Sequence, residues 1–144
     1  MNKEYILNKS KELLPVTIKN RRHIHSNPEL SFQEFQTAEY IRSILNQHNI
    51  YNYPLAETGT VAIIGKGDSC VALRADIDAL PIFEETNLEF ASRTDGIMHA
   101  CGHDMHTSML LTAAIILKEN ESNLNGCVKL IFQPAEEKIP VVLN

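Results

Sequence analysis

The chain has 144 residues, 44% apolar and 22% charged, which suffices for one domain with a real core and is too little for two ordinary ones. Thirteen basic residues against 18 acidic ones leave a net charge of -5, and no stretch concentrates positive charge to hold phosphates, so nucleic acid and anionic membrane surfaces are set aside as partners. No apolar core of a signal peptide follows Met1, no run approaches a membrane span, and an odd count of 3 cysteines points to free thiols in a reducing, cytoplasmic setting.

Residues from about Asn2 to His25 read as helix, with an expected interruption at Pro15, a residue best placed at a first helical position. Asn27-Pro28 ends that segment. Ser31-Phe32-Gln33-Glu34 has the capping-box pattern with Leu30 and Phe35 at the staple positions, so a second helix is expected to about Gln47. Phe35, Ala38, Ile41, Leu45 and His48 recur along it at helical spacing. The period then changes. Val61–Ile64 and Cys70–Leu73 flank Gly65-Lys66-Gly67-Asp68 and read as a β-hairpin. Asp76 to Cys101 reads mostly as loop. From Asp104, a plausible N-cap, to about Asn120 the apolar positions predict a buried helix. After Gly126, Cys127–Phe132 is a largely apolar strand, as expected for a sheet covered on both faces. The order gives an α/β fold, layered helices around a mixed sheet.

Three polar clusters follow a strand or open a helix: Arg74–Pro81, His99–His106 and Gln133–Glu137. Ligands of open α/β sheets gather at the carboxyl ends of strands, so all three could face one crevice. In Cys101-Gly102-His103 a thiolate and an imidazole can turn towards one divalent ion, although a buried cysteine beside a surface histidine would also explain a bare C-x-H. Crowding by His99, Asp104 and His106 is hard to explain by packing. Adjacent Glu136 and Glu137 point apart in an extended chain, so one can ligate an ion while the other reaches an ion-activated water; a solvated acidic loop is the bland alternative. Asp76 and Asp78 could orient a ligand or cap a turn. Cys101 could instead be a nucleophile paired with His103 or His106, which would leave the glutamates without a role. His48 reads as structural, and His23 and His25 as cations suited to a helix C-terminus.

Taken in order, Arg74-Ala75-Asp76-Ile77-Asp78-Ala79-Leu80-Pro81, Met98-His99-Ala100-Cys101-Gly102-His103-Asp104-Met105-His106 and Gln133-Pro134-Ala135-Glu136-Glu137 resemble signatures of the aminoacylase/carboxypeptidase metallohydrolase superfamily. The branch is that of hippurate hydrolases, indole-acetyl-amino-acid hydrolases and N-acyl-amino-acid amidohydrolases. Arg21–Phe32 is similar to its N-terminal helix and turn, and the likeness runs from about Leu13 to Glu137. The resemblance implies the N-terminal portion of a zinc-peptidase-like catalytic domain. It makes Cys101, His103 and Glu137 ligands of two divalent ions (zinc, manganese, cobalt or nickel), with Cys101 bridging, and Glu136 the base. Asp78 matches the aspartate of an H-x-D motif, and Asp76 stands where related branches place a metal-binding histidine. Asp76, Asp78, His99 and His106 are thus expected to support ions or substrate. The implied reaction is hydrolysis of the amide of an N-acyl amino acid or small peptide.

The resemblance also defines a departure. Residues 138–144 do not continue the family pattern, in which a glycine-rich turn, two further ligand histidines and a dimerisation domain follow. The expectation is a truncated catalytic domain over residues 1–144 that holds one ion weakly or none, a non-catalytic remnant, with self-association through uncovered sheet surface.

Overall fold

Helix α1 (Lys3–Ser26) starts where the Asn2 side chain accepts a hydrogen bond from the Tyr5 N–H at 2.8 Å. It continues through Pro15 without a break, correcting the expected interruption. Pro15 offers no N–H to the preceding turn, but it lies on an exposed face where water can satisfy the freed carbonyl. The structure, a computed structural model, describes residues 2–138. The atypical tail expected over 138–144 lies, beyond Lys138, outside the described residues.

Helix α2 (Phe35–Gln47) begins later than the capping-box pattern predicts, and neither residue of that box caps it. Ser31 and Glu34 are drawn into tertiary contacts instead. The Glu29 carboxylate takes over the cap, accepting from the N–H groups of Gln36 and Thr37 at 3.1 and 2.8 Å, where negative charge suits the helix dipole. Phe35 is exposed, whereas Ala38, Ile41 and Leu45 are buried as their spacing predicts.

The four strands are β1 (Tyr51–Leu55), β2 (Gly59–Gly65), β3 (Cys70–Asp76) and β4 (Cys127–Gln133), in the order β1-β2-β4-β3. The expected hairpin between β2 and β3 does not form. β4 runs between them, antiparallel to β2 and parallel to β3, and the real hairpin joins β1 to β2. The crossing where β4 enters is tight. A Cβ on Gly126 would meet the Ser69 carbonyl at 2.5 Å, and one on Gly65 would meet the Gly126 carbonyl at 2.3 Å. Both glycines also hold positive φ, so no other residue type fits there without strain.

Helix α3 (His103–Glu119) joins α2 on one face of the sheet, and α1 packs against α3. Its N-cap is Gly102, in the left-handed region, rather than Asp104, which is buried within the first turn. Val128, Leu130 and Phe132 alternate into the core from β4 and meet Ile41, Leu45, Leu111 and Ala114 from the helices. Lys129 between them is exposed, so β4 is a one-sided strand. Among the described residues helices cover only that face. The opposite face shows Tyr51 and Tyr53, which corrects the expectation of a sheet covered on both sides.

Cys70 and Cys127 stand opposite each other in the β3–β4 register, 4.5 Å apart at Cα, and form a disulfide, so only Cys101 is a free thiol. The expectation of free thiols throughout is corrected, because strand pairing unreadable from local sequence places two of them side by side. Without reductant, thiol titration of the denatured chain should find one reactive group, and three after reduction; three at the outset would contradict the pairing. Phe132 is fully buried, so Phe132→Ala should cost about 3–5 kcal/mol in urea unfolding. A loss under 1 kcal/mol would place that ring outside the core.

Candidate metal centre

Because β3 and β4 are parallel neighbours, their carboxyl ends, Asp76 and Gln133, leave the sheet side by side. The chain after each strand and the start of α3 meet there, so the three sequence clusters do face one crevice. A single carboxylate joins them. Asp78, buried, accepts from Ser31 Oγ at 2.7 Å, from the Glu137 N–H at 2.9 Å and from His103 Nδ1 at 3.1 Å. Burial works against its charge, but these donors outweigh that cost and hold the Asp78 carboxyl well below the ordinary carboxylate range.

The same contacts fix the imidazole of His103. Its Nδ1 faces the Asp78 carbonyl at 2.9 Å and the Asp78 carboxylate, both acceptors only, so the proton sits on Nδ1 and the lone pair of Nε2 points into the crevice. Facing Nε2 are Glu137 Oε1 at 3.7 Å and Glu136 Oε2 at 3.9 Å. Glu137 Oε1 is buried and has no hydrogen-bond partner. A lone pair and an orphaned carboxylate oxygen facing each other repel unless a cation lies between them. Without a metal a proton can serve: burial disfavours charge on His103, but the Asp78 hydrogen bond and the Asp76 charge outweigh it and raise its pKa above the ordinary value. The thiol of Cys101 completes the group. Sγ, His103 Nε2 and a Glu137 oxygen all lie within 4.8 Å of one another, and sulfur, imidazole and carboxylate form a donor set that suits zinc or a similar ion.

Glu136 and Glu137 do not point apart. Ala135 adopts positive φ and the chain turns through Glu136 and Glu137, so both carboxylates reach His103. The turn is pinned by Glu34, fully buried, which accepts from the Ala135 N–H at 2.8 Å and from Thr58 Oγ1 at 2.6 Å. Arg74 Nη2 lies 3.9 Å from Glu136 Oε1, at the open side of the crevice. The cysteine-nucleophile alternative finds no support. The neighbouring Glu137 carboxylate, with burial second, pushes the Cys101 thiol pKa up, the reverse of an activated thiolate.

Asp76 and His106 are paired, Oδ1 to Nδ1 at 2.6 Å, beside His103. His99 is not among the donors. It is buried with both ring nitrogens lacking a partner and sits 6.4 Å, centroid to centroid, from His25. His25 is no surface cation at a helix end: its Nδ1 and Nε2 lie 2.8 Å from Asp104 and 3.1 Å from Glu84, and Arg21 also binds Asp104 at 2.7 Å. This network, with Ser31 and Glu34, is what sequence reasoning missed. For the latter two the capping-box pattern hid the signal, since the same spacing serves a local cap or two separate long-range anchors.

Burial drives the His99 pKa down to about 4, against about 6.5 in the unfolded chain. As pH falls, protons bind the unfolded chain first, so His99 makes stability decline between about pH 6.5 and pH 4. Asp78 adds a loss only at more acid pH, and His103, its pKa raised, acts in the opposite sense. His99→Gln should therefore flatten the acid-side fall in the urea midpoint; an unchanged slope would mean that His99 titrates like an exposed histidine.

Residues 72–140 match the peptidase family M20/M25/M40. Over 120 residues the chain is 54% identical to N-acetyl-L-cysteine deacetylase of Bacillus subtilis (strain 168), covering 81% of this chain and 29% of that protein. It is 53% identical over 131 residues to IAA-amino acid hydrolase ILR1-like 2 of Arabidopsis thaliana, covering 90% of this chain and 30% of the relative. The crystal structure of the Bacillus subtilis YXEP protein, a dinuclear metal binding peptidase of family M20, superposes with a TM-score of 0.83 at 46% identity, covering 88% of this chain and 37% of that one. The chain thus spans about 30% of the length of the curated relatives it matches. With the three motifs converging on one crevice, the chain belongs to the M20 metallopeptidase family and shares its α/β fold.

Proposed function

We propose that Cys101, His103 and Glu137 hold a divalent ion and that Glu136 serves as proton acceptor in the hydrolysis of the amide bond of an N-acyl amino acid. One observation carries the reading: the partnerless, buried oxygen of Glu137 faces the His103 Nε2 lone pair beside the free thiol. Support for the substrate class comes from the relatives, one named for removing acetyl from N-acetyl-L-cysteine and another for hydrolysing conjugates of IAA with amino acids.

A divalent ion in this seat would polarise the scissile carbonyl and acidify water. The protein groups do the rest. Glu136, half-exposed beside Arg74, takes a proton from the attacking water and returns it to the leaving amine nitrogen. Asp78 keeps a proton on His103 Nδ1, so that in the neutral ring the lone pair lies on Nε2, facing the ion. Sulfur and imidazole favour zinc or cobalt over magnesium in this seat. A second reading, an ion-binding segment without turnover, draws on the donor count: three donors meet in this group, fewer than a dinuclear centre uses.

The test measures amino acid released from N-acetyl amino acids by the chain loaded with zinc, manganese or cobalt. Turnover is expected, with Glu136→Gln lowering kcat by about 10²–10⁴ while leaving metal content unchanged. No release at any metal loading would reject the hydrolase reading for this chain and favour the ion-binding one.

A further inference from the structure

Helices α1 and α3 run antiparallel and are joined by polar side chains along their length. Tyr5 donates to Glu119 at 3.1 Å near one end, the hydroxyls of Thr17 and Thr112 lie 2.6 Å apart further along, and Arg21 donates to Asp104 at 2.7 Å near the other end. These contacts fix the spacing of the two helices, so the larger side chains flanking the line do not close over it. Leu14 and Ile18 on α1, and Met105 and Met109 on α3, are each one helical turn apart. All four are between 42% and 54% exposed and line a groove of about 490 Å³. Large apolar side chains gathered on one surface mark a place of contact.

The groove is not apolar throughout. Arg22 follows Leu14 and Ile18 at the same helical spacing, and Arg21 lines that end with it. Both guanidinium carbons sit 4.8 Å from the Phe90 ring centroid. Arg21 is matched by the Asp104 carboxylate, but Arg22 has no ion-pair partner among the described residues. Glu89 lines a neighbouring recess with Arg22 and Arg93 and pairs with neither. One positive charge is thus uncompensated where the apolar lining ends.

We propose that this groove binds a medium-chain monocarboxylate, with the alkyl chain along Leu14, Ile18, Met105 and Met109 and the head group on Arg22. Leu14 and Arg22 are separated by about 12 Å along the helix axis, which suits the extended chain of decanoate. Methionine side chains adapt to a flexible alkyl chain. A guanidinium offers a carboxylate two parallel N–H donors, and the Phe90 ring shields one side of it from water. Cys101, His103, Glu136 and Glu137 take no part, so the site does not depend on the hydrolytic reading.

Calorimetric titration of the full chain with decanoate, below its micellar concentration, tests the site. One decanoate per chain should bind saturably, octanoate about tenfold more weakly because two methylenes are lost, and decyltrimethylammonium not at all. Arg22→Gln should weaken decanoate by about tenfold and leave the binding of decanol as it was. Ile18→Glu, which puts a carboxylate among the apolar side chains, should abolish decanoate binding. Both positions are exposed, so the variants should fold, as far-ultraviolet circular dichroism would verify; the ligand series on the unaltered chain needs neither. Absence of saturable decanoate binding, equal affinity for decyltrimethylammonium, or unchanged decanoate affinity in Arg22→Gln each overturns the assignment. So does a dimer, seen by light scattering, that Ile18→Glu dissociates and decanoate does not, which would give the groove to a second copy of the chain.

Discussion

The Asp78 carboxylate binds three pieces of chain that are remote in sequence: the turn after α1 through Ser31, the first turn of α3 through His103, and the segment after β4 through the Glu137 N–H. Each contact is a donor to a buried negative charge, the kind of hydrogen bond that contributes most and costs most when broken. Remove that charge and three donors lose their acceptor at once, the His103 ring loses its orientation, and the Glu137 carboxylate is no longer carried towards Nε2. The geometry of the crevice depends on this one group, which itself touches neither the thiol nor the open side.

A second polar set, Arg21, His25, Glu84 and Asp104, links α1 to α3 and to the loop before it. Arg21 and Arg22 both lie 4.8 Å over the Phe90 ring, so the long loop before α3 is tied down from the same helix. Asp104 Oδ1 and both nitrogens of His99 remain without partners inside this region. The polar interior is thus arranged in two layers. Around Asp78 the unpartnered atom is Glu137 Oε1, and behind it they are Asp104 Oδ1 and the two nitrogens of His99.

The meeting of Cys101, His103, Glu136 and Glu137 at one crevice was legible in the sequence because each falls in a short motif beside a strand end or helix start. The topology was not. The two strands flanking Gly65–Asp68 look like a hairpin to any reading that sees only neighbours, but the strand between them arrives 57 residues after Cys70, and no local pattern announces it. Ser31 and Glu34 were misassigned for a related reason. The capping-box spacing is real, yet Asp78 and the Ala135 N–H compete for those side chains and prevail because a buried charge left unpartnered costs more than an uncapped helix end. Pro15 shows the limit of a breaker rule on an exposed helix face, where solvent replaces the missing bond.

The insertion of β4 into the middle of the sheet sets the order in which the chain can acquire structure. β1 and β2 can close as a local hairpin during synthesis, and α1 and α2 can form as they emerge. Among the described residues β3 pairs with β4 alone, so its ladder waits until Cys127–Gln133 has been made. Both long-range ladders close in a single late event, with the loop-closure entropy of every intervening residue opposing it. Until then the edges of β2 and β3 that β4 will pair remain open to solvent.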